Sequence, residues 1–355
     1  MKKVFSLLLV VALVVSMFAC AAPAATTAAP AAEPAAAAEP AAAAEPAAEP
    51  AAFDAANLLI GYSSYNTKFE YCENKVSFFQ EAVDKINAEK GYNWKVMYTD
   101  AENDTAKQAD DINDLIAAGC DIIVMNPFTS DGSISACQAV MDAGITLFCV
   151  DRRPDDATVY NAFFGGNNYQ SGVDAANYIA KAIGEEGEVA HISGSAGSAA
   201  CLERGGGFND GIKAFSGIKV VADLSAEWET EAAVSVMEDI LVNNPNVKAV
   251  YCENDGMAYG AVTACESAGR SDIIIVGCDG ESQAFEWLTT GTHPNFAATI
   301  VYPTCGHQVA EAILAWAENG GVYAGEQEIS IEMPIATPEN IGDFCGADYK
   351  LFSNF

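Results

Sequence analysis

Phe148-Cys149-Val150-Asp151-Arg152-Arg153-Pro154 and Val276-Gly277-Cys278-Asp279-Gly280 decide the fold. Each is an apolar run of strand length that delivers an aspartate at its carboxyl end. Working outward, similar runs occupy 58–63, 94–99, 121–126 and 145–150 in a first series, and 188–193, 218–224, 247–252, 273–278 and 298–302 in a second. Helical periodicity fills the gaps, as in Val76, Phe79, Val83, Ile86 or Ala233, Val236, Met237, Ile240. Asp104 or Thr105 opens a helix that stops at Gly119, and Asp131 opens one that stops at Gly144. Continuously apolar strands alternating with helices predict parallel sheets covered on both faces, an α/β fold. Nine strands suffice for one large sheet or two smaller ones. After Asp151-Arg152-Arg153-Pro154 the alternation stalls, and a short strand near 160–164 leads through Gly165-Gly166 into the second series. Two sheets are therefore expected. Ligands bind at the carboxyl ends of open α/β sheets, so two such edges facing each other make a cleft.

The chain has 355 residues, 51% of them hydrophobic and 19% charged, enough to bury a core. Its 17 Lys+Arg against 49 Asp+Glu give a formal charge of −32. Counterion release needs clustered cations, so nucleic acid and anionic lipid are excluded as main partners. Residues 53–355 keep 15 basic against 45 acidic groups, so the charge belongs to the folded part and favours solubility.

The N-terminus reads as an export signal. Lys2 and Lys3 precede an apolar run over residues 4–18, shorter than the roughly twenty residues a membrane span needs. It ends at Met17-Phe18-Ala19-Cys20, which resembles a bacterial lipobox with Cys20 as the lipidated residue of an exported, membrane-anchored chain. Met17 and Phe18 are bulkier than usual there, and an ordinary signal peptide over 1–20 is the competing reading. Residues 21–52 are Ala, Pro and Glu with two Thr. Recurrent proline prevents long helices, so this segment reads as an extended tether reaching on the order of 100 Å at ~3.1 Å per residue.

Ten further cysteines show no Cys-x-x-Cys pair and no zinc-like spacing, so no metal is expected. Cys149, Cys252 and Cys278 lie inside apolar runs, where cysteine behaves as a small hydrophobe, so the cysteines read mostly as buried thiols, with one or two disulfides left open.

Six stretches, in order and spacing, carry a resemblance. They are Leu59-Ile60-Gly61-Tyr62-Ser63, Asp151-Arg152-Arg153, Glu203-Arg204-Gly205-Gly206-Gly207-Phe208, Glu253-Asn254-Asp255-Gly256-Met257-Ala258, Gly277-Cys278-Asp279-Gly280 and Ala298-Thr299-Ile300. Over residues 58–341, roughly 80% of the chain, the sequence resembles the type I periplasmic sugar-binding proteins, the ribose- and galactose-binding receptors of ABC importers. The resemblance implies two Rossmann-like lobes joined by three crossovers and closing over one monosaccharide. The first lobe would take 58–165 with 303–332, and the second 166–302 with 333–355. It also implies an ABC permease as partner, a monomer, and no enzymatic activity or cofactor.

A sugar is a ring of hydroxyls, each donor and acceptor, with an apolar C–H face. Planar Asp, Asn and Arg groups grip adjacent hydroxyls while an aromatic ring covers the C–H face. The resemblance places Asp151, Arg152, Asn254 and Asp279 at hydroxyl-gripping positions and Trp228 at the stacking one. The bland alternatives are a cap for Asp151 or Asn254, a solvated loop arginine for Arg152 and a core role for Trp228. Arg204 sits near the start of a helical stretch, where the macrodipole disfavours a cation, so it should face an anion or ligand unless Glu203 pairs it. The first βα loop departs from ribose binders. It offers Phe69 and the carboxylate Glu70, and Tyr302 replaces the amide of the last crossover strand. The Asp-x-Asn-x-Asp-Gly calcium loop of the galactose branch is absent as well. A pentose, hexose or inositol all stay open.

Rival functions of other classes compete with this reading. Ser193-Gly194-Ser195-Ala196-Gly197 lies where a hydrolase nucleophile would, with Asp279 and His293 or His307 following, but its first glycine is Ser193 and no histidine, His191 included, sits in a motif. The same turn lacks a dinucleotide fingerprint. A repressor of this fold would carry a helix-turn-helix where this chain has a signal and tether. A sensory receptor feeding a membrane kinase or chemoreceptor would read identically to an importer's receptor.

Overall fold

The alternation of strand and helix over residues 53–353, which a computed structural model of the chain describes, resolves into two six-stranded sheets. The leader, Cys20 and the Ala/Pro/Glu tether lie outside the described residues. No helix among the described residues is long and apolar enough to cross a membrane.

The first sheet is built from β1 (Leu59–Ser64), β2 (Lys95–Asp100), β3 (Ile122–Met125), β4 (Thr146–Val150) and β5 (Ala162–Gly166), in the order β2-β1-β3-β4-β5. All of these pairings are parallel. Its connecting helices are α1 (Glu70–Lys90), α2 (Thr105–Ala117) and α3 (Ile134–Asp142). β3 is buried along its whole length because helices cover both faces, whereas the edge strand β2 exposes Met97 and Tyr98.

The second sheet repeats the plan with β6 (Glu186–Ser193), β7 (Gly217–Ser225), β8 (Val247–Cys252), β9 (Ile274–Asp279) and β10 (Phe296–Val301), ordered β7-β6-β8-β9-β10. Its helices are α4 (Asn168–Ala182), α5 (Ala199–Ile212), α6 (Thr230–Asn243), α7 (Asp255–Ser267) and α8 (Ser282–Thr290). In both sheets the order reverses once, between β1 and β3 and between β6 and β8. Such a reversal opens a crevice at the carboxyl ends of the strands.

The chain crosses between the sheets three times. After β10 it returns to form α9 (Gly306–Glu318), whose Val309, Ile313 and Trp316 share a core with Ile60, Phe79, Val124 and Phe148. A side chain at Gly306 would place its Cβ 2.6 Å from the Phe79 amide, so glycine is what lets α9 reach α1. β11 (Glu328–Ile331) then extends the first sheet beside β5, and β12 (Ile335–Ala336) adds an antiparallel edge to β10.

Two details depart from the sequence reading. β11 and β12 carry no apolar run; β11 alternates exposed and half-buried residues at a sheet edge. α3 begins at Ile134, not at Asp131, whose carboxylate accepts from the adjacent Gly132 amide while its carbonyl accepts from Ile134. The ten described cysteines are all unpaired, and nine are buried. By contrast Asp104 caps α2, accepting from the Ala106 and Lys107 amides at 2.8 and 3.1 Å.

Candidate ligand-binding site

The carboxyl ends of the two sheets face each other across a cleft with about 440 Å³ free of protein atoms, mouth included. Seven of the nine residues expected from sequence line it: Phe69, Asp151, Arg152, Arg204, Trp228, Asn254 and Asp279.

Asp151 follows β4 and is buried, with its backbone in the left-handed region at φ 63°. Trp228 (φ 70°) and Asp279 (φ 133°) share this unusual sign. Non-glycine residues seldom adopt it, and it costs on the order of 1–3 kcal/mol where the surroundings enforce it. Three candidate ligand contacts therefore carry the backbone strain expected of a functional site. The Asp151 carboxylate is no cap. Its Oδ2 accepts from the buried Lys75 ammonium at 2.8 Å. Burial pushes this carboxyl up, but Lys75 and Arg152 outweigh burial and hold it below the usual value.

Arg152 donates to the Phe128 carbonyl at 2.9 Å, and its guanidinium lies 4.0 Å from the Tyr65 ring centroid. It is buried, not a solvated loop arginine. Arg204, near the start of α5, ignores Glu203, which pairs with Arg153 across the cleft at 2.9 Å. Its Nε donates to Asn168 Oδ1 at 2.9 Å, one terminal nitrogen donates to the Glu253 carbonyl, and Asp279 Oδ1 stands 3.8 Å away. The glycines that follow it serve packing: a Cβ on Gly207 would fall 1.9 Å from the Tyr169 carbonyl oxygen, so α5 lies directly on α4.

Asn254 combines both readings. It caps α7, accepting from the Met257 amide at 2.8 Å, and lines the cleft. Trp228 packs against the second lobe's core with one face, and its Nε1 is buried without a partner. Burial pushes the Asp279 carboxyl well up, with Arg204 pulling against it.

Glu70 and Tyr302 are placed differently from expectation. The Glu70 carboxylate accepts from both the amide (3.0 Å) and the hydroxyl of Ser282 on α8, an interlobe contact outside the cavity lining. Tyr302 is fully buried beneath the cleft. Its hydroxyl donates to the Asp151 carbonyl at 3.1 Å and accepts from Asn168 at 3.3 Å, while Arg204 lies 4.7 Å over its ring. It lies behind Asp151 and Arg204 and outside the cavity lining.

Sequence reasoning missed Tyr65, Tyr71, Cys72, Ala200 and Glu281. The two tyrosines flank the loop that carries Phe69, and Glu281 lies two residues beyond Asp279, so proximity to a strand end was the available signal. Burial, then Asp255 and Glu70, push the Glu281 carboxyl up to about 8. Of the two histidines in the hydrolase reading, His293 bonds Glu266, and His307, on α9, has a buried Nε2 without a partner and does not line the cavity; His191 bonds Asp223 and Glu253. Among the described residues no group of His, Cys, Asp and Glu could hold a metal.

The periplasmic binding protein domain family matches residues 60–319. The chain belongs to that family. The ribose import binding protein of Bacillus subtilis is 33% identical over 205 residues, covering 58% of this chain and 65% of that one. The D-apiose import binding protein of Paraburkholderia graminis is 31% identical over 270 residues, 75% of this chain and 85% of that one. A solute-binding protein of an Actinobacillus succinogenes ABC transporter, solved with D-allose, superposes with a TM-score of 0.71 at 28% identity over 81% of this family member and all of its own length. These matches are import receptors, not enzymes.

Proposed function

We propose that the chain is the extracytoplasmic receptor of an ABC importer, capturing one neutral monosaccharide or similar polyol and handing it to a membrane permease. The observation that carries this is the set of planar hydrogen-bonding groups that converge on the cleft. Asp151, Asp279 and Glu281 face Arg152, Arg204 and Asn254, with Lys75 behind Asp151. Such a site offers donors and acceptors for hydroxyls, with Trp228 and Phe69 as apolar walls. The import receptors matched in sequence support it, as does the bound sugar of the structural neighbour. In this reading 58–165 with 303–332 form one lobe, 166–302 with 333–355 the other, and ligand bridges them as they close. The chain works as a monomer, tethered to the membrane through lipid on Cys20.

Thermal unfolding against pentoses, hexoses, inositols, nucleosides and amino acids tests the proposal. A ligand at a hundred times its dissociation constant adds about 2.7 kcal/mol, a readable shift. One sugar or polyol should stabilise the protein and lose its effect in Arg204→Ala. A response confined to nucleosides or amino acids would refute the polyol class.

A further inference from the structure

Behind the wall of the cleft lies a lysine whose position packing alone does not explain. Lys75, one turn along α1 from Tyr71, has a side chain with no exposed surface. Its ammonium donates to Asp151 Oδ2 at 2.8 Å and stands 4.5 and 5.2 Å from the ring centroids of Tyr71 and Tyr65. All three partners line the cavity, and Lys75 reaches it only through them. Lysine is almost never fully buried without a reason. Stability is a poor one, because the desolvation of a buried ion pair commonly offsets its attraction, and apolar residues of similar volume do as well. The reason has to be what Lys75 does to Asp151.

A carboxylate offers two oxygens and, once ionised, only accepts. With Oδ2 committed to the ammonium, Oδ1 is left for a ligand. We propose that Lys75 is a positioning residue that sets specificity: it keeps Asp151 an ionised, one-oxygen acceptor, so the ligand must present a hydroxyl hydrogen there. A ring oxygen, an ether or a missing hydroxyl at that point leaves the carboxylate unpaired. This rests on reading the cleft as a polyol site.

The other groups facing the Asp151 carboxylate do not substitute for Lys75. Arg152 adjoins it and bonds the Phe128 carbonyl, Arg204 from α5 is engaged with Asn168 and Glu253, and Asp279 from β9 is an acid. The phenols of Tyr62, Tyr65, Tyr71 and Tyr302 and the thiols of Cys72 and Cys305 are all held neutral by burial.

The test is calorimetric titration of the wild type, Lys75→Met, Asp151→Asn and the double variant between pH 5 and 8. Each is measured with the stabilising polyol of the thermal panel and with its mono-deoxy and mono-O-methyl analogues. Lys75→Met should bind the parent polyol at least tenfold more weakly than the wild type at pH 5. That deficit should shrink toward pH 8 as the uncompensated carboxyl ionises, and discrimination against one analogue should fall with it. Wild-type affinity and discrimination in Lys75→Met at every pH would overturn the proposal. If that variant does not fold, the charge-neutral double variant replaces it: it should lose the same discrimination, and keeping it would be equally fatal. A carboxyl-carbon NMR titration without ligand separates the proposal from the polyol reading. The resonance absent in Asp151→Asn should titrate at higher pH in Lys75→Met than in the wild type, and an unchanged titration overturns the role of Lys75 whatever the ligand proves to be.

Discussion

The carboxylate of Glu70, first residue of α1, is bound to the first residue of α8, Ser282, through both its amide and its hydroxyl. The two helices belong to opposite lobes. An acid from one helix start thus satisfies a free amide at the start of the other, where the helix dipole favours negative charge.

Because the contact joins the lobes, opening the cleft must break it. A hydrogen bond to a charged group contributes about 1.5–3 kcal/mol, and partial exposure puts this one at the lower end. Glu70→Ala is predicted to weaken ligand binding about tenfold, chiefly by faster release, without changing which ligand is preferred. Stopped-flow release rates check this. A changed ligand preference would mean that Glu70 contacts ligand after all.

Gly194 determines where Trp228 sits. A Cβ there would lie 2.1 Å from the indole ring, too close for any side chain, while the Gly194 amide donates to Glu253 Oε2 at 2.8 Å. Gly194→Ala is predicted to push the indole off its seat and to cost binding as much as Trp228→Ala, although no polar ligand contact is touched. Aromatic contacts in such sites contribute on the order of 1 kcal/mol or more, so a loss of roughly fivefold or greater is expected. Tryptophan fluorescence of the unliganded protein should shift in Gly194→Ala. An unshifted spectrum with wild-type affinity would show that the loop absorbs the methyl group.

Strand ends were legible in the sequence because aspartates closing apolar runs, as at Asp151 and Asp279, mark where a buried strand meets a polar cleft. β11 was not legible, since a half-exposed edge strand needs no apolar run. Glu70 and Tyr302 read as ligand contacts from their place in the chain, and the direction of their side chains is a tertiary property. The start of α1 turns Glu70 toward α8, and the crossover after β10 folds Tyr302 under Asp151. Lys75 gave no signal at all. On a helix a lysine ordinarily faces solvent, and only the three-dimensional meeting of α1 with β4 buries it against an acid.

His191 extends this polar support to the far side of the site. Its Nδ1 lies 2.9 Å from Asp223 and its Nε2 3.1 Å from Glu253, whose carbonyl takes Arg204. Burial lowers the imidazole's proton affinity, but the two carboxylates overcome that and raise its pKa to about 9. The unfolded chain's histidine titrates near 6.5. The folded state therefore binds the proton more tightly. The resulting stabilisation is fully present below about pH 6.5 and disappears as pH rises through 9. Its size is on the order of 3 kcal/mol, at roughly 1.4 kcal/mol per unit. His191→Gln should be less stable than the wild type at pH 6 by that order, and the gap should close by pH 9.5. Guanidinium unfolding at pH 6, 7.5 and 9.5 measures it. A gap that stays constant with pH would mean that the imidazole is neutral in the fold and that Glu253 is held by packing and the Gly194 amide alone.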